Sequence, residues 1–200
     1  RATAALGVAN GVTDVLPIAV CDNEAQYIIS HKVGAQLVPL DKVWGSGTSC
    51  DGGGGSGNWG WLNFGKGVGV PDLVDYITGT YPYTLTLPVP PIAGTPGNKG
   101  NGQPVVVAMK TVMDQTVNLP VYSTVTGSGA NTNYTIIGFL SVKLCGFSSN
   151  SKQAKGACYD STTPGVQLTG DDMQVQYADF IPVGNMGVVC AIGSPCAANT

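Results

Sequence analysis

The residues with the clearest chemistry in this 200-residue sequence are its six cysteines. No two of them form a Cys-x-x-Cys pair and the chain has a single histidine, so the close Cys/His spacing of a zinc site is missing. An even set without that spacing favours disulfides, which persist in an oxidising compartment. The sequence therefore predicts a secreted, disulfide-bonded protein. The six are Cys21, Cys50, Cys145, Cys158, Cys190 and Cys196.

The connectivity of these cysteines stays open at the level of sequence, because an even set can pair in many ways. Proximity along the chain is the only guide available. It favours the pairs Cys21 with Cys50, Cys145 with Cys158, and Cys190 with Cys196.

No sequence motif supports catalysis by a nucleophilic side chain or the binding of a nucleotide phosphate. The sole histidine, His31, lies in the sequence SHKV between two predicted strands, and no G-x-S-x-G elbow accompanies it. The glycine run at residues 52–55 lacks the Lys-Ser/Thr pair that phosphate binding requires. We therefore predict no catalytic residue and no enzymatic activity.

The acidic residues offer two local pairs that could serve acid–base catalysis. Asp171 and Asp172 follow a glycine at a predicted hairpin tip, and Asp72 and Asp75 suit the start of a helix. A structural calcium ion at Asp51, directly before the glycine run, is the one cofactor left open, although no EF-hand spacing supports it. No metal ligand is predicted.

Charge is scarce, at 10% of residues against about 25% in an ordinary soluble domain. The net charge is −3 and the nine basic residues are scattered, which excludes a phosphate-neutralising surface and hence nucleic acid as a partner. No apolar run reaches the roughly 18 to 20 residues that span a bilayer. Weak repulsion between copies favours an extracellular module or a subunit that packs against others.

Residues 45–69 form the most distinctive stretch, where glycine is dense and Trp59, Trp61 and Phe64 are interleaved. Glycine lets the backbone approach closely, and the aromatic rings supply buried area. We interpret these three aromatic residues as packing or interface anchors. The alternative is a carbohydrate-stacking platform formed by Trp59, Trp61, Tyr76, Tyr81 and Tyr83.

The triplet Asn133-Tyr134-Thr135 is a sequon for N-glycosylation. It follows a Gly/Ser/Asn stretch that is typical of a loop. Asn133 is therefore a candidate glycosylation site, and a chance match is the alternative.

Period-two alternation and turn residues predict a mainly β fold of sandwich-like antiparallel sheets, with mixed α+β as the alternative. Pro71, two acids and an apolar face predict one short helix near residues 71–78. The predicted strands are residues 15–20, 26–30, 35–38, 81–87, 104–112, 116–125, 134–144, 166–168, 173–183 and 187–192.

The domain organisation follows from composition. Residues 1–20 are apolar and nearly uncharged, which favours an N-terminal arm weakly tied to any local partner. Residues 21–200 form a single β-rich domain, and the proline-rich connector at 88–103 marks a possible subdomain boundary.

Three short motifs resemble the ectodomains of TadG-like proteins of the bacterial Tad (Flp) pilus-assembly group. They are GNWGWL at residues 57–62, LPVY at 119–122 and YTIIGF at 134–139, in the expected order. The resemblance spans residues 1–145, so Cys158, Cys190 and Cys196 fall outside it. The family's membrane helix is missing, which leaves either a trimmed anchor or a free exported subunit.

The resemblance implies an envelope or pilus role and supplies no catalytic residues. Together with composition it predicts an extracellular or cell-surface structural subunit, with further copies or other envelope and pilus subunits as partners. Such a subunit would build a filament through strand edges or an exchanged terminal arm. A secreted carbohydrate-binding or adhesion module is the alternative.

Overall fold

More than twice as many described residues lie in strands as in helices, which confirms the mainly β prediction. The computed structural model describes residues 11–12, 14–39, 60–67, 69–86, 92–93, 102–126, 132–170, 172–182 and 188–190. The strands are β1 (Gly11–Val12), β2 (Val20–Cys21), β3 (Ala35–Pro39), β4 (Thr84–Thr86), β5 (Ile92–Ala93), β6 (Thr116–Thr126), β7 (Asn133–Ser149), β8 (Lys152–Lys155), β9 (Asp172–Pro182) and β10 (Val188–Cys190). The helices are α1 (Asp22–Ser30), α2 (Val70–Ile77) and α3 (Gln103–Thr111).

A seven-stranded sheet forms the body of the molecule, with the order β2-β6-β7-β9-β3 and with β5 and β8 also paired to β7. Its centre is antiparallel: Leu140 of β7 faces Leu119 of β6 on one side and Phe180 of β9 on the other. The β2–β6 pair is parallel. A second sheet has the order β1-β10-β4, and its β1–β10 pair is also parallel.

The 17-residue strand β7 is the centre of the core. From residue 138 to 149 every residue except Lys143 is buried, so both faces of this strand are covered. Helix α1 packs against β6 and β9, while α3 packs against β7 and β8 and contacts α2. Because both faces are buried, the sequence of this strand does not alternate strictly between apolar and polar residues.

Residues 26–30, predicted as a strand, belong to helix α1. Asp22 and Glu24 lie in its first turn, where they interact favourably with the helix dipole. Ala25 and Ile28, three positions apart, form its buried side. The β-type composition of QYIIS is therefore overridden by the acidic helix start and by packing against the sheet.

The predicted strand 104–112 is wrong as well, because this segment forms helix α3. Pro104 stands in its first turn, a position that needs no amide hydrogen. Val107 and Lys110 point outward. The buried residues, at helical spacing, are Val105, Val106, Ala108, Met109 and Val112.

Several boundaries also differ from prediction. Residues 166–168 form no strand, and the predicted turn at 148–156 is a tight hairpin in which Asn150 and Ser151 have φ of 48° and 62°. Of the predicted strand 15–20, only Val20 lies in a named strand. The predicted short helix is confirmed as Val70–Ile77. Most of the proposed boundary at 88–103 lies outside the described residues.

The predicted N-terminal arm is only partly described, and its assignment as an arm stays a prediction. Residues 1–10 and 13 lie outside the described residues, and the backbone partners of residues 14–19 are remote in sequence rather than local. Its apolar residues belong to the core, with at most 3% of their surface exposed: Val12, Val15, Leu16, Ile18, Ala19 and Val20.

No helix within the described residues is long and apolar enough to cross a membrane.

A disulfide joins Cys145, in the buried part of β7, to Cys158, which confirms the predicted pair. Asp114, at φ 63°, reinforces this junction because its carboxylate accepts the backbone N–H groups of Ala157 at 2.7 Å and Cys158 at 2.8 Å. Those two hydrogen bonds lower the pKa of the Asp114 carboxyl. The segment after β8 is therefore fixed to the sheet by the disulfide and by the hydrogen bonds of the Asp114 carboxylate.

Cys21 is disulfide-bonded too. Cys50, Cys196 and the side chain of Cys190 lie outside the described residues. The pairings Cys21 with Cys50 and Cys190 with Cys196 stay predictions.

Removing the disulfide should destabilise the fold. The two cysteines are 13 positions apart, and closing a loop of that size restricts the unfolded chain by about 3 kcal/mol. We expect the double substitution Cys145→Ala and Cys158→Ala to lower the free energy of unfolding by about that amount in urea titrations. Substitution is preferable to a reductant, which would also open the disulfide of Cys21. An unchanged urea midpoint would show that the hydrogen bonds of Asp114 are enough to hold the segment after β8 on the sheet.

Candidate functional site

Residues 14–21 lie extended between two walls, and we call them the inserted segment. One wall is β6 and the other is residues 60–62. The Leu16 N–H donates to the Asn118 carbonyl at 2.9 Å, and the Asn118 N–H donates to the Asp14 carbonyl at 2.9 Å. Farther along, Val20 and Cys21 pair with β6 as strand β2. The segment thus runs parallel to β6.

The second wall bonds to the opposite side of the inserted segment. The Ala19 N–H donates to the Gly60 carbonyl at 2.8 Å, and the Leu62 N–H donates to the Pro17 carbonyl at 2.9 Å. Ile18 and Trp61 form an antiparallel bridge between these bonds. The two walls therefore form a two-sided groove, and the inserted segment is the strand that fills it.

Burial of the inserted segment is nearly complete. Val15, Leu16, Ile18, Ala19 and Val20 expose no surface. Full burial of a valine, leucine or isoleucine side chain contributes about 1.5 to 3 kcal/mol relative to exposure. An empty groove would expose a comparable apolar area on its walls, so the body of the domain depends on this segment.

Trp61 anchors the second wall. Gly60 before it has φ of 67°, a conformation that favours glycine. The Trp61 ring is 2% exposed and meets Phe147 edge-on, with ring centroids 6.4 Å apart. Trp59, the other tryptophan of this stretch, lies outside the described residues. Trp61 is a core residue of the fold, packed between the inserted segment and β7.

A cluster of aromatic rings continues from this wall. Phe64 stacks on Tyr83 at 4.2 Å and meets Tyr76 edge-on at 5.5 Å, and Tyr81 meets Tyr76 edge-on at 5.6 Å. Trp61, Phe64, Tyr76 and Tyr83 are all buried. Their ring faces are occupied by one another and by the core, which counts against the alternative of a carbohydrate-stacking platform.

The hydroxyl of Tyr76 organises the glycine-containing turn after Phe64. It accepts the backbone N–H groups of Lys66 at 2.8 Å and Gly67 at 3.1 Å, and it lies 3.3 Å from the Asn63 amide oxygen. One tyrosine hydroxyl therefore fixes residues 63–67 from inside the cluster. Desolvation by burial raises the pKa of Tyr76.

Two further tyrosine hydroxyls fix the groove itself. The Tyr83 hydroxyl donates to the Val15 carbonyl in the inserted segment. The Tyr134 hydroxyl is hydrogen-bonded to the backbone of Gly60 in the second wall. Burial raises the pKa of Tyr83 and of Tyr134 far above the ordinary tyrosine range. Both rings therefore stay neutral and keep these bonds across the physiological pH range.

The candidate acids have structural partners. Lys66 is paired with Asp75 and lies 3.8 Å from Asp72. Its hydrogen bond with Asp75 is the main cause that raises the pKa of Lys66. Asp72 also accepts the Gly69 N–H at 3.0 Å and so begins helix α2. These carboxylates hold a turn and a helix start, and they do not face one another across a cleft.

His31 closes the exposed end of helix α1. Its ring stacks on Tyr27 with centroids 4.1 Å apart, and its Nδ1 lies 2.9 Å from the Tyr27 carbonyl. The Ser30 hydroxyl is 3.0 Å from the same nitrogen but donates to the Tyr27 carbonyl at 2.8 Å. His31 is therefore an exposed residue at the end of the helix, and its ring contacts the residues of the last turn.

The remaining predicted residues are dispersed. Asp172 is buried and accepts the N–H groups of Thr169 and Gly170, both at 2.8 Å, while Asp171 lies outside the described residues. Asp51 and residues 52–55, the calcium candidate, also lie outside them. Among the residues that the structure describes, no group of three or more His, Cys, Asp or Glu side chains could hold a metal ion.

Asn133 is not in the loop in which the sequence placed it. It is the first residue of β7, half-buried, and it pairs with Thr126 of β6 and Ala93 of β5. The next residue, Tyr134, is a core residue. Glycosylation at Asn133 stays a prediction, and the site lies in a strand that is paired with β5 and β6.

Sequence reasoning missed Asn118 and Asp114. Asn118 is buried in β6, accepts the Ser141 hydroxyl at its side-chain oxygen, and bonds to the inserted segment through its backbone. An asparagine within the apolar run VNLPV was the available signal, because a buried polar side chain needs a specific partner. Asp114 follows a helix and gave no signal of its own.

The Trp61 side chain should be essential for stability. We expect Trp61→Ala to lower the free energy of unfolding by about 3 to 5 kcal/mol, because it leaves a cavity between the inserted segment and β7. Trp61→Phe retains most of the apolar volume and should cost clearly less. Both are measured by urea unfolding followed by circular dichroism. Equal losses for the two variants would contradict a packing role that depends on ring size.

Alkaline pH should weaken the groove. Because burial raises the pKa of Tyr134 and Tyr83 in the folded state, their contribution is complete below the ordinary tyrosine pKa of about 10 and is lost as pH rises above it. Each buried tyrosine should reduce the free energy of unfolding by roughly 1.4 kcal/mol for every pH unit above that point. Urea titrations between pH 8 and 11.5 measure this slope.

Tyr134→Phe removes one of these two groups and should make the alkaline slope shallower. If Tyr134→Phe lowers the free energy of unfolding at pH 8 but leaves its decrease with pH at the wild-type value, ionisation of Tyr134 does not cause the alkaline destabilisation.

Comparison with known proteins found no matching family model, no matching curated protein and no matching solved structure. The resemblance to TadG-like ectodomains stays a prediction, and residues 57–59 of its first motif lie outside the described residues. Residues 60–62 form one wall of the groove, residues 119–122 lie in the other wall, and residues 134–139 lie in the neighbouring part of β7.

Proposed function

We propose that this chain is a non-enzymatic extracellular structural subunit of a cell-surface or pilus-like assembly, and that it associates with further copies of itself. The observation that carries the proposal is the uncharged outer edge of the large sheet at β3. The TadG-like motifs and the disulfides support the extracellular and envelope part of the proposal.

Strand β3 ends the order of the seven-stranded sheet. It pairs with β9 on one side, and within the described residues no strand pairs with its other side. Such an edge presents backbone N–H and C=O groups that another strand can bind. Soluble proteins usually protect an edge with lysine, a bulge or proline, and the strand AQLVP carries only Pro39 at its end.

An exposed apolar side chain directly precedes this edge. Val33, in the turn before β3, is 92% exposed. Ala35 and Leu37 are half-buried on the outer face of the strand, whereas Gln36 and Val38 are buried. An unpaired edge flanked by apolar side chains suits β-augmentation by another strand.

Electrostatic repulsion between copies of the chain opposes their association only weakly. The chain has 12 acidic and 9 basic residues, and its net charge of −3 is small for 200 residues. Repulsion between copies is therefore weak, and lowering the ionic strength should not disperse the assembly.

Self-association can be tested with a charge placed at the edge. We expect the native protein to form oligomers or fibres in light scattering and electron microscopy, and Leu37→Lys to weaken association by about tenfold. Val107→Lys is the matched control, since Val107 is an exposed valine on α3. Thermal melting checks that both variants fold.

A native protein that stays strictly monomeric at every concentration would overturn the proposed function. Equal association of the Leu37→Lys and Val107→Lys variants would show that the contact between copies does not involve β3.

A further inference from the structure

The free side of the large sheet is formed by two strands, β3 and the second half of β9. Strand β3 pairs with residues 172–176 of β9. Residues 177–182 of β9 continue beyond it, and within the described part of the chain no strand pairs with the side of these residues that faces away from β7. This side of the sheet therefore offers two stretches of edge to which another strand could bind.

The β9 stretch is protected against strand addition. A β-bulge interrupts it between Tyr177 and Asp179, which face consecutive residues of β7. The exposed carboxylate of Asp179 accepts the Phe180 N–H at 2.8 Å. Pro182, at the end of the strand, has no N–H to offer. Bulges, charged side chains and prolines are the devices by which proteins prevent pairing at an edge.

Strand β3 has only one of these devices, the proline at its end. The sequence AQLVP carries no charge, and its five residues pair with consecutive residues of β9 without a bulge. The turn before the strand is held by the buried side chain of Gln36, whose Nε2 donates to the His31 carbonyl at 3.0 Å and to the Val33 carbonyl at 3.4 Å. The edge at β3 is therefore regular and already ordered, so that binding costs little conformational entropy.

An uncharged edge suits pairing with its own copy. In a two-fold contact the side chains near the axis lie close to the same side chains of the second copy, so a charge there would face a like charge, which is unfavourable. Asp179 would create this conflict on β9. Strand β3 has no charge, and Leu37 at its centre is half-buried, with apolar surface left to cover. The partner that this edge fits is therefore β3 of a second copy.

The register of such a pair follows from the geometry of antiparallel strands. The two strands pair over their full length when Leu37 faces Leu37, Gln36 faces Val38 and Ala35 faces Pro39. A shift by one residue would place the outer face of one copy beside the buried face of the other. A shift by two residues would pair only Ala35 to Leu37, or only Leu37 to Pro39, with one another. The full register packs the two Leu37 side chains together, with Cβ atoms about 4.5 to 5.5 Å apart.

We propose, resting on the proposed function, that β3 pairs antiparallel with β3 of a second copy about a two-fold axis at Leu37. The large sheets of the two copies then form one continuous sheet. A contact of this symmetry closes at two copies. The dimer is therefore the unit of the assembly, and any growth beyond it uses other surfaces.

A cysteine at the axis tests this contact. The Cα atoms of facing residues in an antiparallel pair are about 4.5 to 5.5 Å apart, within the range that a disulfide bridges. Mild oxidation should convert Leu37→Cys into a covalent dimer, with loss of the monomer band on a non-reducing gel. Ala35→Cys is the matched control on the same face of β3. Its two copies would be about 13 Å apart along the strand, so this variant should keep its monomer band. Thermal melting checks that both variants fold, and peptide mapping identifies the linked cysteines.

Hydrogen–deuterium exchange tests the same contact on the unaltered chain. Exchange of the β3 N–H groups that face away from β9 should slow about tenfold when about nine in ten molecules are paired, because it then proceeds from the free molecules. The N–H groups of residues 179–181 in β9 should exchange equally in dilute and concentrated samples.

The outcomes separate this inference from the proposed function. Oligomers of the native chain in which β3 gains no protection and Leu37→Cys forms no dimer would overturn the two-fold contact while self-association stands. Protection of β3 with equal cross-linking of the two cysteine variants would overturn the register at Leu37. A native chain that is monomeric at every concentration would overturn the proposed function, and this inference with it.

Discussion

The alternating backbone hydrogen bonds of residues 14–19 are the interaction on which the rest of this fold depends. Asp14 and Leu16 bond to Asn118 in β6, while Pro17 and Ala19 bond to Leu62 and Gly60 in the opposite wall. The two walls are separated by more than 50 residues along the chain, and the strand between them joins residues 60–62 to β6, which pairs with β7 on its other side. The buried side chains of that strand exclude water from its backbone hydrogen bonds, and an unpaired buried N–H or C=O group would be costly. Packing and backbone pairing therefore fix the same register.

With few charges available, the chain positions its loops with hydroxyl and carboxylate oxygens that accept or donate to the backbone. Tyr83 binds Val15, Tyr134 binds Gly60, Tyr76 holds residues 63–67, and Asp114 holds Ala157 and Cys158. Ion pairs contribute little by comparison: within the described residues, only Lys66 with Asp72 and Asp75 forms one, and it lies near the surface. This arrangement is insensitive to salt. It is sensitive to alkaline pH, because ionised tyrosine would have to enter a buried environment.

The sequence predicts those parts of the fold whose signals are local. Strands β6 and β9 carry long β-type runs between clear turns, and α2 combines Pro71 with an acidic first turn, so their predicted limits lie within one residue of the observed ones. Strand β7 is predicted as residues 134–144 but continues five residues further, to Ser149. Helix α3 was missed because the run VVVAM favours a strand by composition, although its buried positions have helical spacing. Composition predicts residues 1–20 as an arm without a local partner, and it cannot show that residues 14–19 bond to residues 60–62 and 118. No local pattern shows that residue 16 will bond to residue 118, and the groove, the candidate site itself, follows from such non-local pairing.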